Sequence, residues 1–378
     1  MVGRDSWLAL LQDAWRRRSV IWLTGVRRSG KTVLVQSVPG VEYFDCELPR
    51  VRRLLADPEE FLSRFKDQVI ALDEVHRLEN PSEILKIGAD HFPKLRIIAT
   101  GSATLAASAR FRDTLTGRKA EVWLTPMNQA DLVAFGRTDL RHRLAHGGLP
   151  PFFLADQFPE REFAEWVDAY WARDIQELFR LERRVAFLRL FELLVVQSGG
   201  MFEAASFAGP CEISRATVST YVAVLEATRV VHVIRPHSGR RAHEIIAAPK
   251  IYAFDTGFVC HYRGWDRLRD DDLGLLWEHV VLDELHSQLQ APVVKYWRDK
   301  RGHEVDFVVT RRGHPPVAVE CKWKASGFDP KNLLAFRRLH PGTQNWVVSQ
   351  DVDRPFHRKL EALEIEFLGL EHLGSRLG

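Results

Sequence analysis

The segment from Ser19 to Val38 reads SVIWLTGVRRSGKTVLVQSV, and it decides the fold of the first third of the chain. The apolar run that begins at Val20 predicts a buried parallel strand. The next residues, GVRRSGKT, match the pattern G-x-x-x-x-G-K-[ST], and an apolar helix follows them. A strand, a glycine-rich loop and a helix in this order predict a loop that cradles phosphate groups.

The residue types in this loop are those that a phosphate-binding loop requires. Gly25 and Gly30 let the backbone curl, so that successive N–H groups point inward at phosphate oxygens. Lys31 is expected to reach the β- and γ-phosphates, and the Thr32 hydroxyl is expected to bind Mg²⁺. The sequence therefore predicts a site for ATP and Mg²⁺ that consists of Gly25, Val26, Arg27, Arg28, Ser29, Gly30, Lys31 and Thr32.

Two apolar strands downstream end in polar residues that would meet the same phosphates. The segment DQVIALDEVHRL ends its strand at Asp73 and Glu74. We expect Asp73 to hold Mg²⁺ through water and Glu74 to orient the attacking water as the catalytic base. The segment LRIIATGSAT places Thr100 or Ser102 beside the pocket, where one of them would sense the γ-phosphate; the alternative role is a helix N-cap.

The segments VEYFDCE and AEVWLTP predict two further strands, so that residues 1–127 form a parallel α/β sheet with its ligand at the carboxyl edge. The order of these pieces resembles the AAA+ class of P-loop ATPases. The segment DTLTGRKAEVWLTPM resembles one branch of that class. This resemblance implies that Arg118 contacts the γ-phosphate, in cis or across the interface of a homo-oligomer. The alternative role for Arg118 is a surface ion pair.

Residues 128–185 read as helices that form a lid or connector, broken at the turn HGGLPPF. In the stretch REFAEWVDAYWARDIQELFRL, the apolar residues Phe163, Trp166, Val167 and Tyr170 recur at helical spacing and are interpreted as core packing.

Residues 186–248 read as three helices followed by a β-hairpin, the layout of a winged helix. Ser214 is a predicted N-cap, and the apolar face of the third helix contains Val218, Tyr221, Val222 and Leu225. The strand-like segments VVHVIRP and HEIIAAP would form the hairpin. A DNA-binding role would direct Arg215, Thr217 and Ser219 into the major groove, with Arg235, Arg240 and Arg241 at phosphates. The helix is poor in cations, however, and winged helices also serve as protein-interaction modules.

The last segment with an unusual pattern is HEVDFVVTRRGHPPVAVECKWK, which predicts a β-hairpin. If its turn centres on Gly313, Asp306 and Glu320 lie opposite one another, and Lys322 shares the face of Glu320. Two opposed carboxylates repel each other unless a cation lies between them, and Mg²⁺ suits such a pair. The helix LGLLWEHVVLDELHSQL offers Glu278 or Glu284 as a further acid. The alternative is a solvated hairpin face with paired charges.

These segments resemble the nuclease fold whose motif is written PD-(D/E)xK. The resemblance implies metal ligands at Asp306, Glu320 and Glu278, and a catalytic lysine at Lys322, in a domain over residues 249–378. Val305 stands where the motif has proline. The chain as a whole resembles prokaryotic ATPases that join an AAA-type P-loop domain to a C-terminal domain of poorly known function. The motifs that carry this resemblance are GVRRSGKT, LDEVHRL, TGSATL, LTGR, GGLP, YWARDIQEL, APKIYAFDTG and the hairpin.

The fold class predicted is therefore α/β, with an AAA+-type sheet, a helical and winged-helix region, and a restriction-endonuclease-like domain. The leading function is an ATPase that acts on DNA through a Mg²⁺-dependent nuclease-like domain. The alternatives are a nucleotide-controlled protein- or DNA-binding switch with a silent nuclease-like scaffold, and a protein-interaction ATPase without nucleic acid.

Composition limits the broad class. The 378 residues are 46% hydrophobic and 27% charged, with a net charge of +3, which predicts an ordinary globular chain of two or three domains. This mild charge does not by itself indicate a nucleic-acid partner. The four scattered cysteines predict reduced thiols and no zinc site. The N-terminal segment does not read as a signal peptide, and no apolar run approaches the ~20 residues of a membrane span, so we expect a cytoplasmic protein.

Overall fold

The structure, a computed structural model, describes residues 2–101, 114–176, 179, 181, 183–238, 244, 247–360 and 363–377. Three sheets organise this part of the chain. A five-stranded sheet comes first in the sequence, a three-stranded sheet follows it, and a six-stranded sheet comes last.

The first sheet is entirely parallel, with the spatial order β2-β3-β4-β1-β5, which confirms the predicted parallel α/β sheet. Its strands are β1 (Val20–Thr24), β2 (Val41–Asp45), β3 (Val69–Asp73), β4 (Arg96–Thr100) and β5 (Lys119–Trp123). The helices beside it are α1 (Asp5–Arg17), α2 (Lys31–Gln36), α3 (Pro49–Leu54), α4 (Pro58–Ser63) and α5 (Pro81–His91).

Alternating side chains of β1 explain why both faces of this sheet are covered. Ile21 and Leu23 belong to the core cluster formed with α1 and α2, whereas Val20 and Trp22 belong to the cluster formed with α3, α4 and α5. All four side chains are fully buried. A strand with apolar residues on both faces needs helices on both sides, which is the arrangement that crossover connections supply.

A helical region follows the first sheet, as predicted. It contains α6 (Gln129–Ala134), α7 (Leu140–His146), α8 (Pro150–Phe153) and α9 (Glu160–Ala169), and α9 continues as a π-helix over Tyr170–Gln176. The predicted turn at the two glycines lies between α7 and α8. The aromatic residues of α9 are buried in the large core cluster that this region shares with the rest of the chain.

The second sheet is antiparallel, with the order β6-β8-β7. The elements are α10 (Arg184–Val196), β6 (Gly200–Met201), α11 (Ala204–Ala208), α12 (Arg215–Ala227), β7 (Val231–Ile234) and β8 (Lys250–Ala253). The predicted N-cap is confirmed, because the Ser214 side chain accepts a hydrogen bond from the Thr217 amide at 3.1 Å. The predicted apolar face of α12 is buried.

The second strand of this hairpin was predicted in HEIIAAP, and the structure places it in the next segment, KIYA. The sequence of Lys250–Ala253 shows no clear alternation of apolar and polar residues, because this strand is buried on both faces and pairs with a neighbour on each edge. The predicted boundary between residues 248 and 249 lies between the paired strands β7 and β8.

The C-terminal sheet has the order β13-β14-β12-β11-β10-β9. It is mixed, because β11, β12 and β14 run parallel while the other pairs are antiparallel. Its strands are β9 (Val294–Arg298), β10 (Glu304–Val309), β11 (Val317–Lys322), β12 (Gln344–Ser349), β13 (Phe356–Leu360) and β14 (Leu363–Leu368). The helices that precede and flank it are α13 (Thr256–Arg263), α14 (Asp270–Leu289), α15 (Lys331–Leu339) and α16 (Leu373–Leu377).

The register predicted for the hairpin β10–β11 is confirmed. Phe307 lies opposite Val319, and Val309 lies opposite Val317, so the turn centres on Gly313. Gly313 has φ +80°, a conformation that favours glycine. Continuation of this register brings Asp306 to Glu320.

All four cysteines are buried and none forms a disulfide. Within the residues that the structure describes, no helix has the length and apolar character needed to cross a bilayer.

Candidate functional site

A cavity of about 380 Å³ lies at the carboxyl edge of the first sheet, in contact with the predicted phosphate-binding loop. Gly25 enters the loop with φ +153°, and a Cβ atom there would lie 2.5 Å from the carbonyl oxygen of Leu124. Gly30 ends it with φ +96°, directly before α2. The loop therefore needs glycine at both ends, for backbone reasons that the sequence pattern predicted.

Polar groups at the start of α2 meet the end of β3. The Thr32 hydroxyl donates to the Asp73 carboxylate at 2.8 Å, so that two predicted Mg²⁺ ligands are adjacent. The Tyr43 hydroxyl also donates to Asp73, at 2.7 Å, and Thr100 donates to its other oxygen. Lys31 extends back over the loop and donates to the carbonyl oxygens of Gly25 and Val26. The Thr32 hydroxyl and the Asp73 carboxylate are oxygen ligands of the kind that a hard cation such as Mg²⁺ prefers.

Glu74 lines the cavity beside Lys31, as the predicted base should. Its backbone is left-handed, with φ 55°, and its amide donates to the Thr100 hydroxyl at 3.1 Å. Burial alone would raise the pKa of Glu74, but its hydrogen bond with His76 and the charge of Lys31 outweigh burial and lower the pKa. The carboxylate is therefore ionised at neutral pH and able to accept a proton.

Two predicted nucleotide contacts, Arg118 and Ser29, are not among the residues that line the cavity. Arg118 forms an ion pair with Asp90 at 2.8 Å, which is the arrangement of the alternative role, a surface ion pair. Its position between a helix and an edge strand leaves it nearer α5 than the loop. Ser29 is fully buried behind the loop. Ser102 lies outside the described residues, whereas its alternative, Thr100, does contact Asp73.

The loop is held from outside by two other parts of the chain. Arg4, which precedes α1, donates to the Ser29 carbonyl at 3.0 Å and forms a buried ion pair with Asp131 of α6. Trp166 of α9 donates to the Arg27 carbonyl at 2.9 Å, and Arg27 pairs with Asp174 at 3.0 Å.

Sequence reasoning missed most of the far wall of the cavity. That wall comes from the helical region and from the end of α12, and it contains Pro150, Pro151, Tyr170, Arg173, Asp174, Thr228 and Val230. The sequence signal that could have identified this wall is the presence of Arg173 and Asp174 in an otherwise aromatic stretch. Charged residues are seldom buried in a core unless they have a partner.

A second polar cluster, called the acid site here, lies between helix α14 and the C-terminal sheet. It consists of Glu278 on α14, Asp306 on β10, and Glu320 and Lys322 on β11. The Lys322 ammonium lies 2.8 Å from Glu320 and 3.8 Å from Asp306. Asp306 also accepts a hydrogen bond from the Cys321 amide at 2.8 Å. One oxygen of Glu320 is buried and has no hydrogen-bond partner in the part of the chain that the structure describes. Asp306 and Glu320 therefore lie near each other across β10 and β11, as predicted. The alternative, a hairpin face exposed to solvent, is wrong, because Glu320 is 1% exposed.

Burial and repulsion between carboxylates raise the pKa values of two acids at the acid site. Burial and the charge of Asp306 raise the pKa of Glu320 to about 8, against the opposing effect of Lys322. Burial and Asp306 also raise the pKa of Glu278 to about 7. Among the described residues, however, no three His, Cys, Asp or Glu side chains are already grouped as a metal site. Mg²⁺ needs only one or two carboxylates beside water and phosphate, so the donor set still fits it.

The open choice between Glu278 and Glu284 is decided by their partners. Glu278 accepts a hydrogen bond from Tyr252, at the acid site. Glu284 instead accepts from the Gln129 amide at 2.9 Å, at the junction with the helical region.

The predicted DNA-contacting residues of α12 are only partly testable. Arg215 and Ser219 are exposed, and Thr217 is half-buried beside Ser214. Arg240 and Arg241 lie outside the described residues.

Family profiles match the chain in three consecutive blocks. They are an AAA domain over residues 17–133, a domain of unknown function (DUF8612) over residues 137–269, and another (DUF4143) over residues 273–368. Among solved structures, the Walker-type ATPase PABY2304 of Pyrococcus abyssi is 16% identical, with a TM-score of 0.45, over 70% of this chain and 96% of that one.

Two mycobacterial proteins are similar over most of their length. They are the uncharacterized proteins Rv2008c of Mycobacterium tuberculosis and Mb2031c of Mycobacterium bovis. Each is 30% identical over 328 residues, which is 83% of this chain and 73% of the relative. The chain therefore belongs to the same family as these two proteins, and its first domain makes it a P-loop ATPase of the AAA type.

Proposed function

We propose that the chain binds ATP with Mg²⁺ in the 380 Å³ cavity and hydrolyses it with Glu74 as the base. The observation that carries this proposal is the contact between Thr32 and Asp73 beside an ionised Glu74. Thr32 and Asp73 would hold Mg²⁺, which supplies charge for the phosphate oxygens. Lys31 would bind the β- and γ-phosphates, and Glu74 would accept a proton from the attacking water.

Two variants of the purified chain test this assignment. Lys31→Ala should lose ATP binding in calorimetry, because the loop would lose its only phosphate-directed ammonium. Glu74→Gln should bind ATP with unchanged affinity but slow phosphate release about a hundredfold or more, since a general base contributes on that scale. Wild-type hydrolysis by Glu74→Gln would contradict the role of Glu74.

We further infer that the acid site is a divalent-metal site of a nuclease-like domain that acts on DNA. The approach of Asp306 and Glu320, together with the unpartnered oxygen of Glu320, supports a cation there. Asp306, Glu320 and Glu278 would hold Mg²⁺, which would supply charge for a phosphodiester. Lys322 would then bind a phosphate oxygen.

Incubation of supercoiled and linear DNA with Mg²⁺ or Mn²⁺, with and without ATP, tests this activity. Asp306→Ala should abolish cleavage, whereas Lys331→Ala should retain it, because Lys331 is exposed and pairs with Asp329. No cleavage by the wild-type chain, or cleavage that is unchanged in Asp306→Ala, would contradict the nuclease role of the acid site.

The element order over residues 184–253 supports the interpretation of this region as a winged helix whose α12 contacts DNA. Arg215 and Ser219 lie exposed near the start of α12, where a recognition helix reads bases. Fluorescence anisotropy with a labelled duplex should show a DNA affinity that falls as the salt concentration rises. Arg215→Ala should reduce the slope of log affinity against log salt concentration by about one. Arg17→Ala, an exposed charge on α1, is the matched control.

A second candidate function has an observation of its own. Lys322 lies between the two carboxylates that a metal would share, and no three-ligand group is already assembled in the described chain. A silent scaffold in a nucleotide-controlled switch would have this arrangement. Absence of Mn²⁺ binding to the wild-type chain would favour the switch.

A further inference from the structure

Strand β8 belongs to the second sheet, yet one of its side chains contacts the acid site and another lies beside it. The Tyr252 hydroxyl donates to Glu278 at 2.7 Å, and Lys250 forms an ion pair with Glu304, two residues before Asp306. Neither residue was identified from the sequence as part of a site.

Among the described residues, the Tyr252 hydroxyl has one hydrogen-bond partner, and this partner is Glu278 of the acid site. Its side chain is fully buried, and its ring packs against Phe307 with centroids 5.6 Å apart. Phe307 follows Asp306 directly on β10. The hydroxyl therefore holds the Glu278 carboxylate in a fixed orientation beside the strand that carries Asp306.

Lys250 places a buried ammonium at the same edge. It is 5% exposed, and its Nζ lies 6.0 Å from the ring centroid of Tyr252 and 5.8 Å from that of Tyr296. Its partner Glu304 also approaches Arg298 at 3.6 Å. A buried lysine needs a compensating negative charge, and the carboxylates of the acid site and Glu304 supply it.

The two sheets are tied together next to these residues. The Tyr296 amide donates to the Arg235 carbonyl at 3.1 Å, and the Tyr296 hydroxyl donates to the Ala248 carbonyl at 2.6 Å. Strand β9 is therefore hydrogen-bonded to the chain on the way from β7 to β8. These hydrogen bonds set the position of Lys250 and Tyr252 relative to β10.

We propose that Lys250 and Tyr252 are positioning residues of the acid site, which is thereby assembled from two parts of the chain. The proposal rests on the proposed metal-binding role of Asp306 and Glu320. Tyr252 orients Glu278 as a ligand for a divalent cation. Lys250 offsets the repulsion among carboxylates and holds Glu304 away from the ligand set. Loss of such outer contacts reduces metal affinity by about 10–100-fold.

The test measures Mn²⁺ binding to the full chain without nucleotide, from the electron paramagnetic resonance signal of the free ion. Asp306→Ala identifies the signal that belongs to the acid site. Tyr252→Phe and Lys250→Met should each weaken this binding about tenfold or more, whereas Lys250→Arg should restore most of it. Lys295→Met is the control, because Lys295 lies on β9 and pairs with Glu244 instead.

The outcomes separate the two proposals. Wild-type affinity in both Tyr252→Phe and Lys250→Met, with binding lost in Asp306→Ala, overturns the positioning role alone. Absence of Mn²⁺ binding to the wild-type chain overturns the metal-site proposal and the positioning role together. If the Lys250→Met variant does not fold, the Mn²⁺ affinity of Tyr252→Phe tests the positioning role, because this change removes only a hydroxyl from a ring that stays in place.

Discussion

At the scale of single residues, Glu74, the proposed catalytic base, has a backbone conformation that the surrounding fold imposes. Its left-handed backbone costs about 1 kcal/mol or more for a residue other than glycine. The contact of its amide with Thr100 holds this conformation, and the same Thr100 contacts Asp73. The strained conformation therefore occurs directly after β3, at a residue that lines the cavity.

Replacement of His76 by alanine is expected to change the pH dependence of hydrolysis. His76 lies 3.1 Å from the Glu74 carboxylate and lowers the pKa of Glu74. Its loss raises that pKa, so a base that must be ionised becomes active only at higher pH. The acid limb of the kcat–pH profile should move upward in His76→Ala. An unchanged limb would show that Glu74 does not control it.

Gly25→Ala should abolish ATP binding, because the new Cβ would meet the Leu124 carbonyl oxygen at 2.5 Å. The matched control is Gly40→Ala, whose φ is +69° but whose Cβ would have no neighbour within 4 Å. The control should lose only about 1 kcal/mol of stability and keep ATP affinity. Calorimetry with ATP and Mg²⁺, beside thermal unfolding, measures both effects.

At the scale of elements, the phosphate-binding loop depends on helices that contribute no ligand. Arg4 lies at the start of α1 and connects the Ser29 carbonyl with Asp131 of α6, and all three groups are buried. Trp7 of α1 donates to the same Asp131 at 3.1 Å. The start of α1 therefore acts as a brace between the loop and the first helix beyond the sheet.

Arg4→Met should destabilise the chain by about 3–5 kcal/mol, because it leaves the Asp131 carboxylate buried without its cation. The change should also weaken ATP binding, since the loop loses its contact at Ser29. Arg17→Met, at the exposed end of the same helix, should change stability by less than about 1 kcal/mol. Urea unfolding and calorimetry distinguish the two variants. Equal effects would contradict the bracing role.

At the scale of the whole molecule, buried polar contacts join the three sheets. Arg143 of α7 is fully buried and donates to Thr256 at 3.1 Å and to Asp283 of α14 at 2.8 Å. The Gly148 amide, close to the cavity wall at Pro150, donates to Asp255 at 2.6 Å. Gln290, just after α14, bonds both the amide and the carbonyl of Trp123 on the edge strand β5.

Because the cavity wall comes from three regions of the chain, bound ATP should tighten them against one another. Hydrogen exchange should slow in Tyr170–Gln176 and around Thr228 when ATP and Mg²⁺ are added, as well as in the loop itself. Lys31→Ala should show none of this protection. Protection confined to the loop would indicate that the far wall does not contact nucleotide.

Sequence alone determined the parallel sheet, the phosphate-binding loop, the pair Asp73–Glu74 and the register of the hairpin that carries Asp306 and Glu320. These features follow from local patterns: buried strands read as apolar runs, glycine stands where φ is positive, and alternation sets which side chains oppose each other.

Tertiary structure decided what no local pattern records. It assigned β8 to its sheet, paired Arg118 with Asp90, and brought Arg173 to the cavity at the phosphate-binding loop and Tyr252 to Glu278. Each of these contacts joins residues far apart in the chain, and their geometry depends on how separate elements pack. The local sequence does not distinguish a side chain that contacts a site in another part of the chain from one that packs in a core.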